Sequence, residues 1–324
     1  MQARIAESDG LTGRAVRFQT DAEGFLLPAR RHAAPDLTVA FLGGSTTVCE
    51  YVADSLRFHA LTVDAIEART GLRTNALNAA RSGNHSLHSL TLFTAKVLPQ
   101  RPDVVVLMHN VNDLTTLLRV GSYWNDNPSR GLLTHAPCAT AGCHLRLGMT
   151  KLSHTVLPGI STRLWSLQRR GSPRSEFDTP AGPVDATFAE QQFRSSLVTF
   201  VETARAWGVA PLLMTQANRI APVPDPALSY PHDELGVPYT RFQALYDRFN
   251  EVVREVAEAH GVPLVDLAAL VPPDREHLYD FVHLTDAGSR VVAEGLTAAL
   301  LAGPVAAIPG DRQDASAAAE RSTP

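Results

Sequence analysis

Four short segments carry residue types that can do chemistry together. Ser45 lies in Gly43-Gly44-Ser45-Thr46-Thr47, directly after an apolar run. Paired glycines let the backbone turn sharply, and a serine there can present its hydroxyl beside main-chain N–H groups left free at a helix start. Asp280-Phe281-Val282-His283 sets a carboxylate and an imidazole at i, i+3. In a loop such a pair can face one side, the carboxylate holding the tautomer and stabilising the imidazolium formed when the ring takes a proton. Gly83, in Asn78-Ala79-Ala80-Arg81-Ser82-Gly83-Asn84, lets a main-chain N–H approach a ligand oxygen with no side chain in the way. Asn112, in His109-Asn110-Val111-Asn112-Asp113, can offer an oriented amide to developing negative charge. Nucleophile, base, orienter and oxyanion donors are the parts that acyl transfer needs.

Each segment alone also has an ordinary explanation. Ser45 or Thr46 can cap a helix, Gly83 can simply permit a turn, and Asn112 can cap a helix starting near Asp113. Asp280 and His283 can form a surface loop. The serine segment is neither a G-x-S-x-G elbow nor a phosphate-binding loop, since no Gly-Lys-Ser/Thr follows.

The elements that must position these residues are visible as apolar runs. Strands are predicted at 37–42, 72–77, 103–108, 210–215 and 263–266, the continuous run DVVVLM being the clearest. Helices are predicted at 54–70, capped by Asp54 and stopped by Gly71, and at 88–98, 185–207, 240–260 and 286–301, with another beginning near Asp113. Strands alternating with helices argue for a parallel sheet covered on both faces, with ligands held beyond the carboxyl ends of the strands. All the segments named above, except the Asp280–His283 loop near the C-terminus, fall directly after such strands.

The chain has 324 residues, 44% hydrophobic and 19% charged, with a net charge of −4. That length buries a sizeable core. The mild acidity argues against nucleic acid as a partner, which needs a concentrated basic face. No run of about 18 apolar residues is present to span a membrane, the nearest stretch, 296–308, being broken by Gly303 and Pro304. The opening MQARIAESDG is polar, so no signal peptide is visible and a cytoplasmic location is expected if this is the natural start. Residues 1–35 read as an irregular lead-in and 36–302 as the catalytic domain. An inserted lid or subdomain is expected at about 121–184, and 303–324 reads as a disordered tail.

With these segments in order, the chain resembles the SGNH (GDSL-like) hydrolases. Their four blocks read here as GGSTT around Ser45, NAARSG ending at Gly83, NVND containing Asn112 and DFVH ending at His283. The resemblance implies an α/β fold, a three-layer α/β/α sandwich of flavodoxin-like type with a parallel five-stranded sheet. It implies Ser45 as nucleophile, His283 as general base and acid, and Asp280 as the group that orients His283. It further implies an oxyanion hole formed by the Ser45 and Gly83 N–H groups and the Asn112 amide. Gly44 stands where the first block usually has Asp, as in a GGST-type branch, and Asn110 stands where the third has Gly, which puts the pocket wall in question. The reaction expected is hydrolysis of a short-chain or acetyl ester of a small molecule or carbohydrate, with no metal or organic cofactor. An O-acyltransferase using the same triad and a non-catalytic ligand-binding module are the alternatives.

Other residues invite weaker readings. Tyr123, Trp124, Gln216 and His109 are candidates for substrate binding, although strand-end packing or core burial explains them equally. His135, Cys138, Cys143 and His144 have ligand types that suit zinc, but their spacing fits no strong zinc pattern and free thiols or a disulfide are alternatives. Cys49 reads as a buried small residue. Arg169, Arg170 and Arg174 form a basic run that reads as a solvated loop.

Overall fold

A strand covered on both faces should be apolar or fully hydrogen-bonded, and the central strands meet that condition. The computed structural model describes residues 2–6, 14–125, 131–132 and 185–306, with side chains from Val16 onward. A hairpin of β1 (Gln2–Ala6) and β2 (Arg14–Phe18) precedes the main body. There follow β3 (Leu37–Gly43), α1 (Ser45–Val48), α2 (Phe58–Thr70), β4 (Thr74–Asn78), α3 (Ser86–Leu92), β5 (Val104–Met108) and α4 (Val111–Val120). After the residues at 126–184 come α5 (Ala186–Ala206), β6 (Ala210–Met214), α6 (Tyr239–Ala259), β7 (Leu264–Val265) and α7 (Asp286–Ala302).

The five strands β3 to β7 form one parallel sheet in the order β4-β3-β5-β6-β7. The order reverses between β3 and β5, so the crevice of this flavodoxin-like sheet opens beyond the carboxyl ends of those two strands. Ser45 follows β3 and Asn112 follows β5, which puts the two on opposite sides of that switch point. Alternate residues feed two cores. Ala40, Leu42, Val105, Leu107 and Leu213 pack with Leu114, Phe193, Phe200 and Phe249 from α4, α5 and α6. Val39, Phe41, Val104, Val106 and Met214 pack with Phe58, Ile66, Val292 and Leu296 from α2 and α7. The three-layer α/β/α architecture read from the sequence is the one observed.

Several boundaries shift for local reasons. Asp54 does not cap α2. It opens a 3₁₀ turn, Asp54–Leu56, and Arg57 follows in extended conformation at the N-cap. Arg57 is fully buried, and its guanidinium donates to the carbonyls of Cys49, Leu27 and Arg17. Those bonds hold the chain extended there and delay the helix. Gly71 does stop α2, at φ 73° with its N–H on the Glu67 carbonyl. Asp185 caps α5 by accepting from the Thr187 and Phe188 N–H groups. The predicted helix at 88–98 begins earlier, at Ser86, widens into a π-helical turn over Phe93–Val97 and tightens to 3₁₀ over Leu98–Gln100 before β5.

The lead-in is not irregular throughout. Besides the hairpin, Phe25, Leu26 and Ala29 are buried, and Leu26 bridges Asn78 on the edge strand β4. That contact accounts for the polar residues of β4, since Asn75 accepts from the Arg31 and His32 N–H groups. Paired this way, β4 does not present a bare edge. Of the expected insertion at 121–184, only 121–125, 131 and 132 are described, and the tail beyond residue 306 lies outside the described residues. No helix among the described residues is long and apolar enough to cross a membrane.

Candidate active site

The nucleophile candidate follows two glycines that other groups approach closely. A Cβ at Gly43 would lie 2.8 Å from the Met108 carbonyl of β5, and one at Gly44 would lie 2.3 Å from the Asn112 side-chain amide. With both absent, the chain turns from β3 into α1, with Gly44 at the N-cap and Ser45 as the first helical residue. The Ser45 N–H is therefore one of the donors that a helix start leaves without an intrahelical partner.

Residues 238 positions apart then meet: Ser45 Oγ lies 2.7 Å from His283 Nε2. The other ring nitrogen, Nδ1, is 2.6 Å from Asp280 Oδ2. The second carboxylate oxygen of Asp280 accepts from the Val282 and His283 N–H groups at 2.9 and 2.7 Å, which closes the loop around the ring. Burial pushes the Asp280 carboxyl up, but the His283 charge and these hydrogen bonds outweigh it, holding it below the usual range. An ionised Asp280 accepts a proton carried on Nδ1, which leaves Nε2 as the ring nitrogen that can accept from Ser45. The Tyr279 ring stacks on His283, its plane 10° from the imidazole, and the Tyr279 N–H donates to the His283 carbonyl.

Of the remaining predicted donors, Asn112 lies against Gly44, the residue before Ser45. The loop after β4 is tied to β3 by Arg81, whose N–H donates to the Gly43 carbonyl at 3.2 Å. Gly83 follows at φ 86°, a left-handed conformation that disfavours a side chain. Asn112 Nδ2 donates to the Asn84 carbonyl at 2.8 Å, so block two and block three are joined beside Gly44. An amide nitrogen carries two protons, so Asn112 Nδ2 keeps a second one beyond its bond to Asn84.

Two of the weaker candidates, Tyr123 and His109, are buried. Tyr123 is 1% exposed and its hydroxyl donates to Asp113 Oδ1 at 2.5 Å, so it packs inside and does not wall a pocket. His109 is buried against Ser89 Oγ at 2.7 Å, and burial with the nearby His88 charge pushes its imidazole down to about 3. Trp124 is 72% exposed. Gln216 is buried, with its amide engaged by protein groups described below. Asn110, the departure from the family pattern, turns away from the crevice and donates to the Tyr246 carbonyl and to Asn250 Oδ1, both at 2.9 Å. It therefore shapes a helix contact, not the pocket wall.

Sequence reasoning missed Asp113. Its carboxylate accepts from both the Ser86 N–H and the Ser86 hydroxyl, anchoring the start of α3 to α4. Burial pushes this carboxyl up, partly offset by His85 and by hydrogen bonds from Ser86 and Tyr123. Its signal was its place directly after Asn112. Cys49 is buried as expected, and burial pushes its thiol up to about 12. The residues His135, Cys138, Cys143, His144, Arg169, Arg170 and Arg174 lie outside the described residues. Among the described residues, no three His, Cys, Asp or Glu side chains converge as metal ligands.

The sequence profile of the GDSL-like lipase/acylhydrolase family matches residues 41–291, a span that contains all four blocks. The chain belongs to this GDSL-like family. Membership makes it an enzyme that hydrolyses ester bonds. Among solved structures it is similar to an acetylxylan esterase from Geobacillus stearothermophilus, at 16% identity and a TM-score of 0.47 over 82% of this chain and 94% of that one. A protein described as a GDSL-like lipase from Parabacteroides merdae is similar at 15% identity and TM-score 0.48, over 83% and 97%. An α/β hydrolase from the metagenome of Lake Arreo, Spain, is similar at 18% identity and TM-score 0.47, over 82% and 95%. No curated protein sequence matches the chain.

Proposed function

We propose that this GDSL-like enzyme is a serine esterase acting on carboxylic esters of a small molecule or carbohydrate, with an acetyl or other short acyl group. One observation carries the reading: the unbroken relay from Ser45 Oγ through the His283 ring to Asp280, with contacts of 2.7 and 2.6 Å. In it, His283 Nε2 takes the Ser45 proton as Oγ attacks the ester carbonyl. Asp280 stabilises the imidazolium without taking its proton.

The oxyanion then faces the N–H groups of Ser45 and Gly83 and the second amide proton of Asn112, donors held in place before the reaction starts. Collapse of the tetrahedral intermediate breaks the bond to the alcohol, which leaves with the proton from His283. An acyl group remains on Ser45. Water gives a proton to the same nitrogen, attacks the acyl carbonyl, and releases the acid and free Ser45. No cofactor enters these steps.

The test is turnover of p-nitrophenyl acetate by the purified chain and by Ser45→Ala. Cleavage by the wild type and none above background by the folded variant is expected. Equal turnover by both would remove Ser45 from the chemistry.

A further inference from the structure

The two halves of the proposed site arise on different strands, and something must hold them in register. Ser45 follows β3 and Asn112 follows β5, while Gln216 follows β6. The Gln216 amide bridges the other two. Its Oε1 accepts from the Val111 N–H at 2.9 Å, and its Nε2 donates to Thr46 Oγ1. Val111 immediately precedes Asn112, and Thr46 immediately follows Ser45.

The amide orientation is not ambiguous. A main-chain N–H can only donate, so the oxygen must face Val111 and the nitrogen must face Thr46. The Gln216 backbone is itself bracketed by Asn250 of α6, whose Oδ1 accepts from the Gln216 N–H at 3.0 Å and whose Nδ2 donates to the Gln216 carbonyl at 3.0 Å. The same Asn250 Oδ1 accepts from Asn110, the residue that caps α4. Gln216 is 3% exposed, and each end of its amide already has a protein partner.

We infer that Gln216 is a positioning residue that sets the spacing between the Ser45 nucleophile and the Asn112 oxyanion donor, rather than a group that touches substrate. The inference rests on the serine-esterase reading for its kinetic consequence but not for its structural one. Removing the bridge frees the first turns of α1 and α4 to move independently. A misplacement on the order of 1 Å between reacting groups can cost about 10²-fold in rate. Substrate binding, made by other groups, should change little.

The experiment compares wild type with Gln216→Met, Thr46→Val, Thr46→Ser and the Gln216→Met/Thr46→Val pair, using acetyl and butyryl p-nitrophenyl esters. Expected is a fall of about 10- to 100-fold in kcat for Gln216→Met, by the same factor for both esters, with KM within about twofold. Thr46→Val should fall in the same direction, Thr46→Ser should restore most of the rate, and the double variant should be no worse than Gln216→Met alone. Hydrogen exchange of the peptides covering 44–49 and 110–114 should rise in Gln216→Met. A KM rise with kcat unchanged would make Gln216 a substrate-binding residue and overturn the inference. So would unchanged exchange with unchanged kcat, or additive losses in the pair. If Gln216→Met does not fold, Thr46→Val against Thr46→Ser decides by the same readings. A wild type with no esterase activity but a Gln216-dependent rise in exchange would remove the esterase reading and leave the bridge standing.

Discussion

Gly44→Ala should cost activity far more than stability. The Gly44 backbone, at φ −91° and ψ −154°, is open to alanine, so the substitution introduces no main-chain strain. The new methyl would lie 2.3 Å from Asn112 Nδ2 and 3.2 Å from the Asn84 carbonyl. Ordinary contact requires upwards of about 3.4 Å, so the amide must retreat by about 1 Å. Being the far end of a side chain, it can do so cheaply, but it then loses its 2.8 Å bond to Asn84 and its place over the crevice. Loss of one oxyanion donor costs about 10²–10³ in kcat, roughly 3–4 kcal/mol of transition-state stabilisation. The assay is kcat on p-nitrophenyl acetate beside urea unfolding, for Gly44→Ala, Asn112→Ala and the double variant. Asn112→Ala should show the same loss, and adding Gly44→Ala to it should cost almost nothing, because the clashing amide is gone. Full activity in Gly44→Ala, or the same further loss in the Asn112→Ala background, would refute both the clash and the role given to Asn112.

Asp280→Asn should lower kcat by about 10⁴. Its oxygen would stay with the two main-chain N–H groups, so its NH₂ would face Nδ1 and force the ring proton onto Nε2, where the Ser45 proton must go; near-wild-type turnover would count against the orienting role. His59 is buried beside Asn78, and burial followed by the Arg57 charge pushes its imidazole down to about 3. A folded-state value below the unfolded one, about 6.5, means that the unfolded chain takes up the proton first. Stability from this group is therefore complete above pH 6.5 and falls as the pH drops toward 3, by about 2 kcal/mol between pH 6.5 and 5. Urea midpoints at pH 7.5 and 5.0 should converge more in His59→Gln than in wild type; an identical pH slope in both would reject that assignment. Product analysis with an acetyl donor and sugar acceptors should give free acetate in excess of transferred acetate, and the reverse would identify an acyltransferase using the same residues.

What the sequence made legible was local. The run LTVAFL followed by Gly43-Gly44-Ser45 contains both the strand and its consequence, and the Asp280–His283 pair closes over a distance of three residues. Period and punctuation also located the strands that carry the blocks, because a parallel sheet buried on both faces demands continuous apolar runs. Contacts between distant residues left no such mark. Thr46 and Gln216 are 170 positions apart, and Asn110 and Asn250 are 140 apart, so a glutamine after β6 looked like a pocket residue. Tyr123 and Trp124 looked like a pair, yet at the end of α4 they diverge, the first into the Asp113 cluster and the second into solvent. The hairpin and the docking of Leu26 on β4 were equally hidden, since short strands of mixed polarity gain their structure from the edge they meet.

The central claim is that Ser45 is a nucleophile activated by His283. Incubation with a fluorophosphonate, followed by peptide mass mapping, tests it directly, because such a reagent reports the attacking oxygen itself. One adduct is expected, on the peptide that contains Ser45, absent in Ser45→Ala and formed far more slowly in His283→Ala. An adduct on another residue, or none from a preparation that cleaves esters, would contradict it.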